Sequence, residues 1–319
     1  MIQIATSVQD AKNILEREEL VAIPTETVYG LAGNIYSETA IKKIFETKKR
    51  PFFNPLIVHI DDISKLDQIA CEVPEKATIL ANAFWPGSLT LVLKKKATIP
   101  DSITAGKNTV AVRVPNHPLT LELLKSLDFP LAAPSANPFG SISPTTAKHV
   151  ADYFSSTLEM VLDGGSCANG VESTIIGFEN GEPILYRLGA IALEEIEAIV
   201  GPVAIANKND KTPEAPGMLS KHYAPKTKII LSTNLAASIN DYPNAKIGII
   251  SFTNQNVPST ITAIEILSEK GDLKEATTNL YAAMHRLDTL NLDLIIASYF
   301  PNNQLGNTIN DRLLRATKN

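Results

Sequence analysis

The chain has 319 residues, 44% of them apolar and 20% charged, which excludes a disordered tail, a collagen-like rod and a long coiled coil and leaves room for about two domains. A formal net charge of −5 has the wrong sign for a protein built to coat nucleic acid, although it leaves space for a local basic pocket. No apolar run approaches the roughly 18 residues that cross a bilayer, and Asp10, Lys12 and Glu16 stand where a signal peptide needs an apolar core, so a cytoplasmic protein with no membrane partner is expected.

Ser7 and Asp10 have capping-box spacing, and Val8, Ala11 and Leu15 then recur at helical intervals, which predicts a helix over 8–19. A strand is predicted at 20–23, ending in Pro24-Thr25-Glu26-Thr27-Val28-Tyr29-Gly30, which reads as a polar turn rather than more core. A second helix over 38–49 carries Ile41, Ile44 and Phe45 on one face and is stopped by Pro51. Further strands are predicted at 56–60, 89–93, 109–114, 131–133, 173–178 and 184–187, a mixed α/β domain around one twisted sheet. Between Asn207 and Lys226 the composition shifts, with Pro213, Pro216, Gly217 and Pro225 marking a linker. Beyond it, strands at 228–231, 247–252 and 292–297 alternate with helices near 234–240 and 272–288 and a short last helix containing Leu313 and Leu314. That pattern predicts a smaller, mainly parallel, three-layer α/β domain.

The common nucleotide fingerprints, a glycine-rich dinucleotide turn and a P-loop, are absent. The five histidines lack metal-ligand spacing, and Cys71 and Cys167 are too few and too far apart for a zinc site or a disulfide framework. What remains is a set of polar strand ends. Lys48, Lys49 and Arg50 close a helix, where cations also suit the negative end of its dipole. In the strand over 109–114, Val110, Val112 and Val114 share one face and Thr109, Ala111 and Arg113 the other, so one face is core and the opposite one faces a site. Arg113 at a sheet centre needs an anionic partner, either an internal carboxylate or that of a ligand. Ala132-Ala133-Pro134-Ser135-Ala136-Asn137-Pro138, Asp163-Gly164-Gly165 and Gly170-Val171-Glu172-Ser173-Thr174 read as turns whose small residues let backbone donors approach a ligand.

Taken together, Pro24-Thr25-Glu26-Thr27-Val28-Tyr29-Gly30-Leu31, Lys48-Lys49-Arg50-Pro51, Asn54-Pro55-Leu56 with His59, Trp85-Pro86-Gly87 and Ser135-Ala136-Asn137 closely resemble the YrdC-type threonylcarbamoyl-AMP synthases. Ala215-Pro216-Gly217-Met218 and His222-Tyr223-Ala224-Pro225, with an α/β domain behind them, resemble that family's long two-domain form, so the likeness spans essentially the whole chain. The resemblance implies a nucleotidyltransferase that makes threonylcarbamoyl-AMP and pyrophosphate from L-threonine, bicarbonate or CO2, and ATP, for threonylcarbamoyl-adenosine modification of tRNA. It also implies a concave basic surface on a catalytic domain over 1–206, a linker or lid over 207–226, and a Rossmann-like domain over 227–319. By the same match Thr27, His59, Arg113, Ala133 and Ser173 would hold threonine. Lys48, Arg50, Asn54, Thr109, Ser135, Asn137, Ser143, Arg187 and Tyr223 would surround ATP, with Lys48 and Arg50 catalytic and Mg2+ carried by the ATP phosphates rather than by protein ligands. The implied partners are the downstream tRNA threonylcarbamoyl-transferase machinery and, weakly, tRNA. The alternative function is an RNA-binding or ribosome-associated module using the basic concavity.

Overall fold

The structure, a computed structural model, describes residues 2–206, 215–218 and 222–318. Its first sheet has eleven strands. Across it run Gln3–Ala5, Met160–Leu162, Val21–Ile23, Gly30–Asn34, Leu131–Ala132 and Ile57–His59, then Thr109–Arg113, Leu89–Lys94, Thr174–Glu179, Glu182–Arg187 and Ala204–Ile205. Parallel and antiparallel neighbours alternate irregularly, as in the pairing of Thr109–Arg113 parallel to Ile57–His59 and antiparallel to Leu89–Lys94. A second sheet of four strands, Ile229–Ser232, Leu294–Ser298, Ile247–Ser251 and Ala263–Ile266, is parallel throughout.

Local chemistry explains where the elements stop. Ser7 caps the helix Val8–Glu16, its Oγ accepting the Asp10 N–H at 3.2 Å. The helix Glu38–Lys48 ends before Pro51 is reached, because Lys49 turns left-handed at φ +53°. Its N–H then returns to Glu46 and that of Arg50 to Phe45, closing the last turn and setting the directions of Lys48 and Arg50.

Strand periodicity sets the packing. Val110, Val112 and Val114 enter the main core with Ile44, Phe45 and Leu91, while Ala111 joins a small cluster with Ile57, Val92 and Ile175 on the opposite face. In the second sheet Ile247 and Ile249 pack with Ile239 on one face, and Ile250 packs against Leu280 and Leu313 on the other, which makes three layers. Val28, Ile142, Val171 and Tyr223 belong to that same second cluster, so one continuous apolar core joins the two sheets.

Several expectations need correction. Pro24 to Tyr29 does turn the chain, but Thr25, Glu26 and Thr27 are buried, because their polar groups bond one another and Arg113. The strand Gly30–Asn34 escapes a propensity reading since it holds two glycines, and only its place between two neighbours makes it a strand. The last helix is not short but spans Gln304–Ala316, and Ala263–Ile266 is an additional edge strand. Cys167 is buried and Cys71 half-buried, both free. No helix among the described residues is long and apolar enough to cross a membrane. Of the segment over 207–226, residues 207–214 and 219–221 lie outside the described residues.

Where the two sheets meet, the rings of His149 and His285 stack 3.9 Å apart, and His285 Nε2 lies 3.2 Å from the Ser143 carbonyl. Burial, then the neighbouring imidazole, lowers His149 from 6.5 to about 4, and burial also lowers His285. Both folded pKa values lie below the unfolded one, so this contact stabilises fully above pH 6.5 and is lost as pH falls toward 4. Tm measured across that window should fall, and His285→Phe should flatten the fall.

Candidate active site

The turn after Val21–Ile23 forms the first wall. Thr25 Oγ1 accepts the N–H groups of Thr27 and Val28 at 3.1 and 3.2 Å and donates to the Val28 carbonyl at 2.6 Å. With that proton committed, Thr25 receives the Thr27 hydroxyl at 2.7 Å, and Thr27 is left to accept from Arg113 at 2.9 Å. Gly30 follows because a Cβ there would stand 3.1 Å from the Ala133 Cβ, so the first turn and the Ala133–Asn137 turn can touch.

Arg113 ends its strand under this wall, 3% exposed, with Nε donating to the Gly87 carbonyl at 3.0 Å and one Nη to Glu26 at 2.5 Å. The internal partner is therefore realised. Burial alone would raise Glu26, but Arg113 and the Asn116 N–H hold it below its ordinary value. Three of the five guanidinium N–H bonds are used, which leaves two for a ligand.

The helix end Glu38–Lys48 supplies the second wall. Lys48, 1% exposed, donates to the carbonyls of Ser135 and Asn137, and burial, then Arg50, lowers its pKa far below that of a free amine. It buttresses the turn rather than lining the hollow. Arg50 donates to the carbonyls of Asn54 and Pro55 at 3.2 and 2.8 Å, and burial with the nearby Arg187 lowers it to about 9. Arg187, at the end of Glu182–Arg187, holds the Ser173 carbonyl at 2.8 Å and the Ser173 hydroxyl at 3.1 Å. His59, buried beside Arg113, is kept neutral with its pKa near 3.

The roof comes from the linker. Ala215 and Met218 pack on Ile57, Val92, Ala111 and Ile175, while Pro216, Gly217, His222 and Tyr223 face the hollow.

These elements surround a hollow lined by Thr27, Arg50, His59, Arg113, Ala133, Ser135, Ser173, Arg187 and Tyr223. Of the other expected residues, Lys48, Asn54, Asn137 and Ser143 stand behind the lining, and Ser143 donates to Glu172 at 2.6 Å. Thr109 begins the strand that Arg113 ends, about 13 Å away at the rise of a strand, so only an extended ligand could meet both. Of the lining residues, His222 Nδ1 and the Tyr223 hydroxyl are buried with no hydrogen-bond partner among the described residues, which suits a polar ligand.

Glu172 lines the hollow and Glu26 backs it, and neither was singled out from sequence. The available signal was a lone carboxylate inside an otherwise apolar or small-residue run, where burial needs a partner. Among the described residues no group of three or more His, Cys, Asp or Glu could hold a metal ion. The one lining carboxylate, Glu172, is already bonded to Arg312 and Ser143.

The profile of the Sua5, YciO and YrdC family, described as "Telomere recombination", matches residues 13–189, more than half of the chain. The chain belongs to the Sua5/YciO/YrdC family. A second profile, described as "Threonylcarbamoyl-AMP synthase, C-terminal domain", matches residues 191–317. The Pyrococcus abyssi protein named threonylcarbamoyl-AMP synthase is 39% identical, over 96% of this chain and 93% of its own. The Bacillus subtilis protein of the same name is 38% identical, over 97% and 92%. The crystal structure of P. abyssi Sua5 complexed with L-threonine superposes with a TM-score of 0.92 at 37% identity, covering 100% of this chain and 98% of that one. The long Sua5 form therefore shares both sheets with this chain.

Because Glu26 neutralises Arg113 in a buried setting, Glu26→Ala should cost about 3–5 kcal/mol in equilibrium denaturation. Lys76→Ala, which breaks an exposed pair with Glu182, should cost under about 1 kcal/mol.

Proposed function

We propose that this protein is an L-threonylcarbamoyladenylate synthase, joining L-threonine, bicarbonate or CO2, and ATP into threonylcarbamoyl-AMP and pyrophosphate. The observation that carries the reading is the convergence of Arg50, Arg113 and Arg187 on one hollow in a chain of net charge −5. Relatives named for this activity, aligned over nearly the whole chain, support it. The RNA-binding alternative is disfavoured, because these guanidiniums are buried around one hollow rather than spread over an exposed face.

The chemistry needs no enzyme nucleophile. The threonine amine attacks CO2 and loses a proton to give a carbamate. A carbamate oxygen then attacks the α-phosphorus of ATP while the bond to the β-phosphate oxygen breaks, releasing pyrophosphate. The reactants are anions that repel one another, so the protein's work is to gather them and offset their charge. The two uncommitted N–H bonds of Arg113 receive the threonine carboxylate, with Thr27, His59, Ala133 and Ser173 around the side chain. Neutral His59 adds no charge that would compete with Arg113 for that carboxylate.

Arg50 and Arg187 face the phosphates, Tyr223 closes over the nucleotide, and Ser135 reaches it from the turn that Lys48 braces. Asn54, Asn137 and Ser143 support the loops around it, and Thr109 meets the far end of the extended ligand. Mg2+ carried on the ATP phosphates would supply further charge neutralisation there. The first 206 residues carry most of the site, and the linker residues Pro216, Gly217, His222 and Tyr223 roof it, excluding water that would hydrolyse the adenylate. The product then passes to the tRNA threonylcarbamoyl-transferase machinery.

Pyrophosphate release should require threonine, bicarbonate and Mg-ATP together; release that persists without threonine would overturn the assignment. Arg50→Ala should reduce turnover by about a hundredfold or more, and Lys48→Met, which keeps the packing but drops the bonds to the turn, should also lose most of it. Serine should be used with kcat/KM about tenfold lower or worse, since one methyl separates it from threonine.

A further inference from the structure

We propose that Arg312, on the last helix of the second sheet's domain, is a positioning residue for the hollow formed by the first, setting the attitude of Tyr223 and Glu172. Tyr223 adopts φ +67°, a left-handed conformation uncommon for a bulky residue, so its surroundings must over-determine it. The ring is 1% exposed and lies under two guanidiniums, those of Arg312 and Arg315, each 4.7 Å from its centroid. Tyr281, from the helix Leu273–Asp288, stacks on it at 5.9 Å. Its hydroxyl is left without a protein partner on the side of the hollow, close to where a Cβ on Gly217 would stand.

Arg312 is wholly buried and reaches three ways. Its Nε pairs with Glu172 at 3.0 Å, one Nη meets Asp311 at 2.6 Å, and the other donates to the Leu188 carbonyl at 2.6 Å. Glu172 also accepts from Ser143 at 2.6 Å and from the Tyr281 hydroxyl at 3.0 Å. Arg315 donates to the Gly217 carbonyl at 2.7 Å, in the roof. Glu172, Gly217 and Tyr223 all line the hollow, and each is gripped by side chains of the second domain.

Packing alone does not require this arrangement. A fully buried guanidinium carries a large desolvation cost, and an apolar side chain of similar volume would fill the same space more cheaply. What an apolar residue cannot do is present a flat cation to a ring while its edge orders a carboxylate, and lysine cannot do it either. The second domain thus supplies the rigid support on which the nucleotide end of the site is built.

This inference rests on the synthase reading, and its test separates the two. Arg312→Lys keeps a cation opposite Glu172 but loses the plate over Tyr223 and the bond to Leu188. Steady-state pyrophosphate release should show KM for ATP raised about tenfold, with KM for threonine changed less than about threefold and Tm nearly preserved. In a Tyr223→Leu background the same substitution should add less than it does alone, since part of its effect acts through that ring. A purely structural role would lower the active fraction, and so the apparent kcat, while leaving both KM values unchanged, and that result would overturn the proposal, as would additive effects.

Should Arg312→Lys fail to fold, Tyr281→Phe removes one Glu172 donor without changing volume. It should raise KM for ATP about threefold, and an unchanged value would overturn the proposal. If the wild-type protein releases no pyrophosphate, the synthase reading falls, and calorimetric ATP binding by wild type and Arg312→Lys still tests the support role.

Discussion

Positive charge held out of water is the constraint around which this molecule is built. Arg50, Arg113, Arg187 and Arg312 are each at most 7% exposed, and none could stay charged there unless its N–H bonds were met. The protein meets them with main-chain carbonyls at Asn54, Pro55, Gly87, Ser173 and Leu188, and with the carboxylates of Glu26 and Glu172. Carbonyl bonding fixes a guanidinium's direction without cancelling its charge. Arg50 therefore keeps its field for an anion and Arg187 shares part of its own with Glu172, whereas Arg113 and Arg312, bonded to carboxylates, act more by geometry than by charge.

The backbone follows from that need. Strands end and turns begin where carbonyls must point at a cation. The left-handed end of Glu38–Lys48 swings Lys48 toward one turn and Arg50 toward the next loop. The turn over Thr25 to Tyr29 places Glu26 behind Arg113 and Thr27 in front of it. The elements around the hollow thus contribute both the cations and the carbonyls that orient them.

The second sheet's domain supports the side of this arrangement that the first sheet does not cover. The linker residues Pro216, Gly217, His222 and Tyr223 cover that side, and the helices of the second sheet hold them there through Arg312, Arg315 and Tyr281. The apolar core that runs from Val28 and Val171 into Leu280 and Leu313 makes the support rigid. Burial along that seam also keeps His149 and His285 neutral, so the joint is tightest near neutral pH.

The sequence by itself determined the α/β class, the strand that carries Arg113, the helix that ends at Lys48 and the motifs that gather at the hollow. These depend on periods of two and 3.6 and on residue chemistry within a few positions. The carboxylate partner of Arg113, the retreat of Lys48 behind the lining and the Gly30–Asn34 strand were decided only by tertiary structure. So was the grip of Arg312 on Tyr223 and Glu172. Glu26 and Arg113 are 87 positions apart, and Glu172 and Arg312 are 140 apart. No local periodicity links such residues; the sheets bring them together, and the cost of leaving a buried charge unpaired then decides which of them must meet.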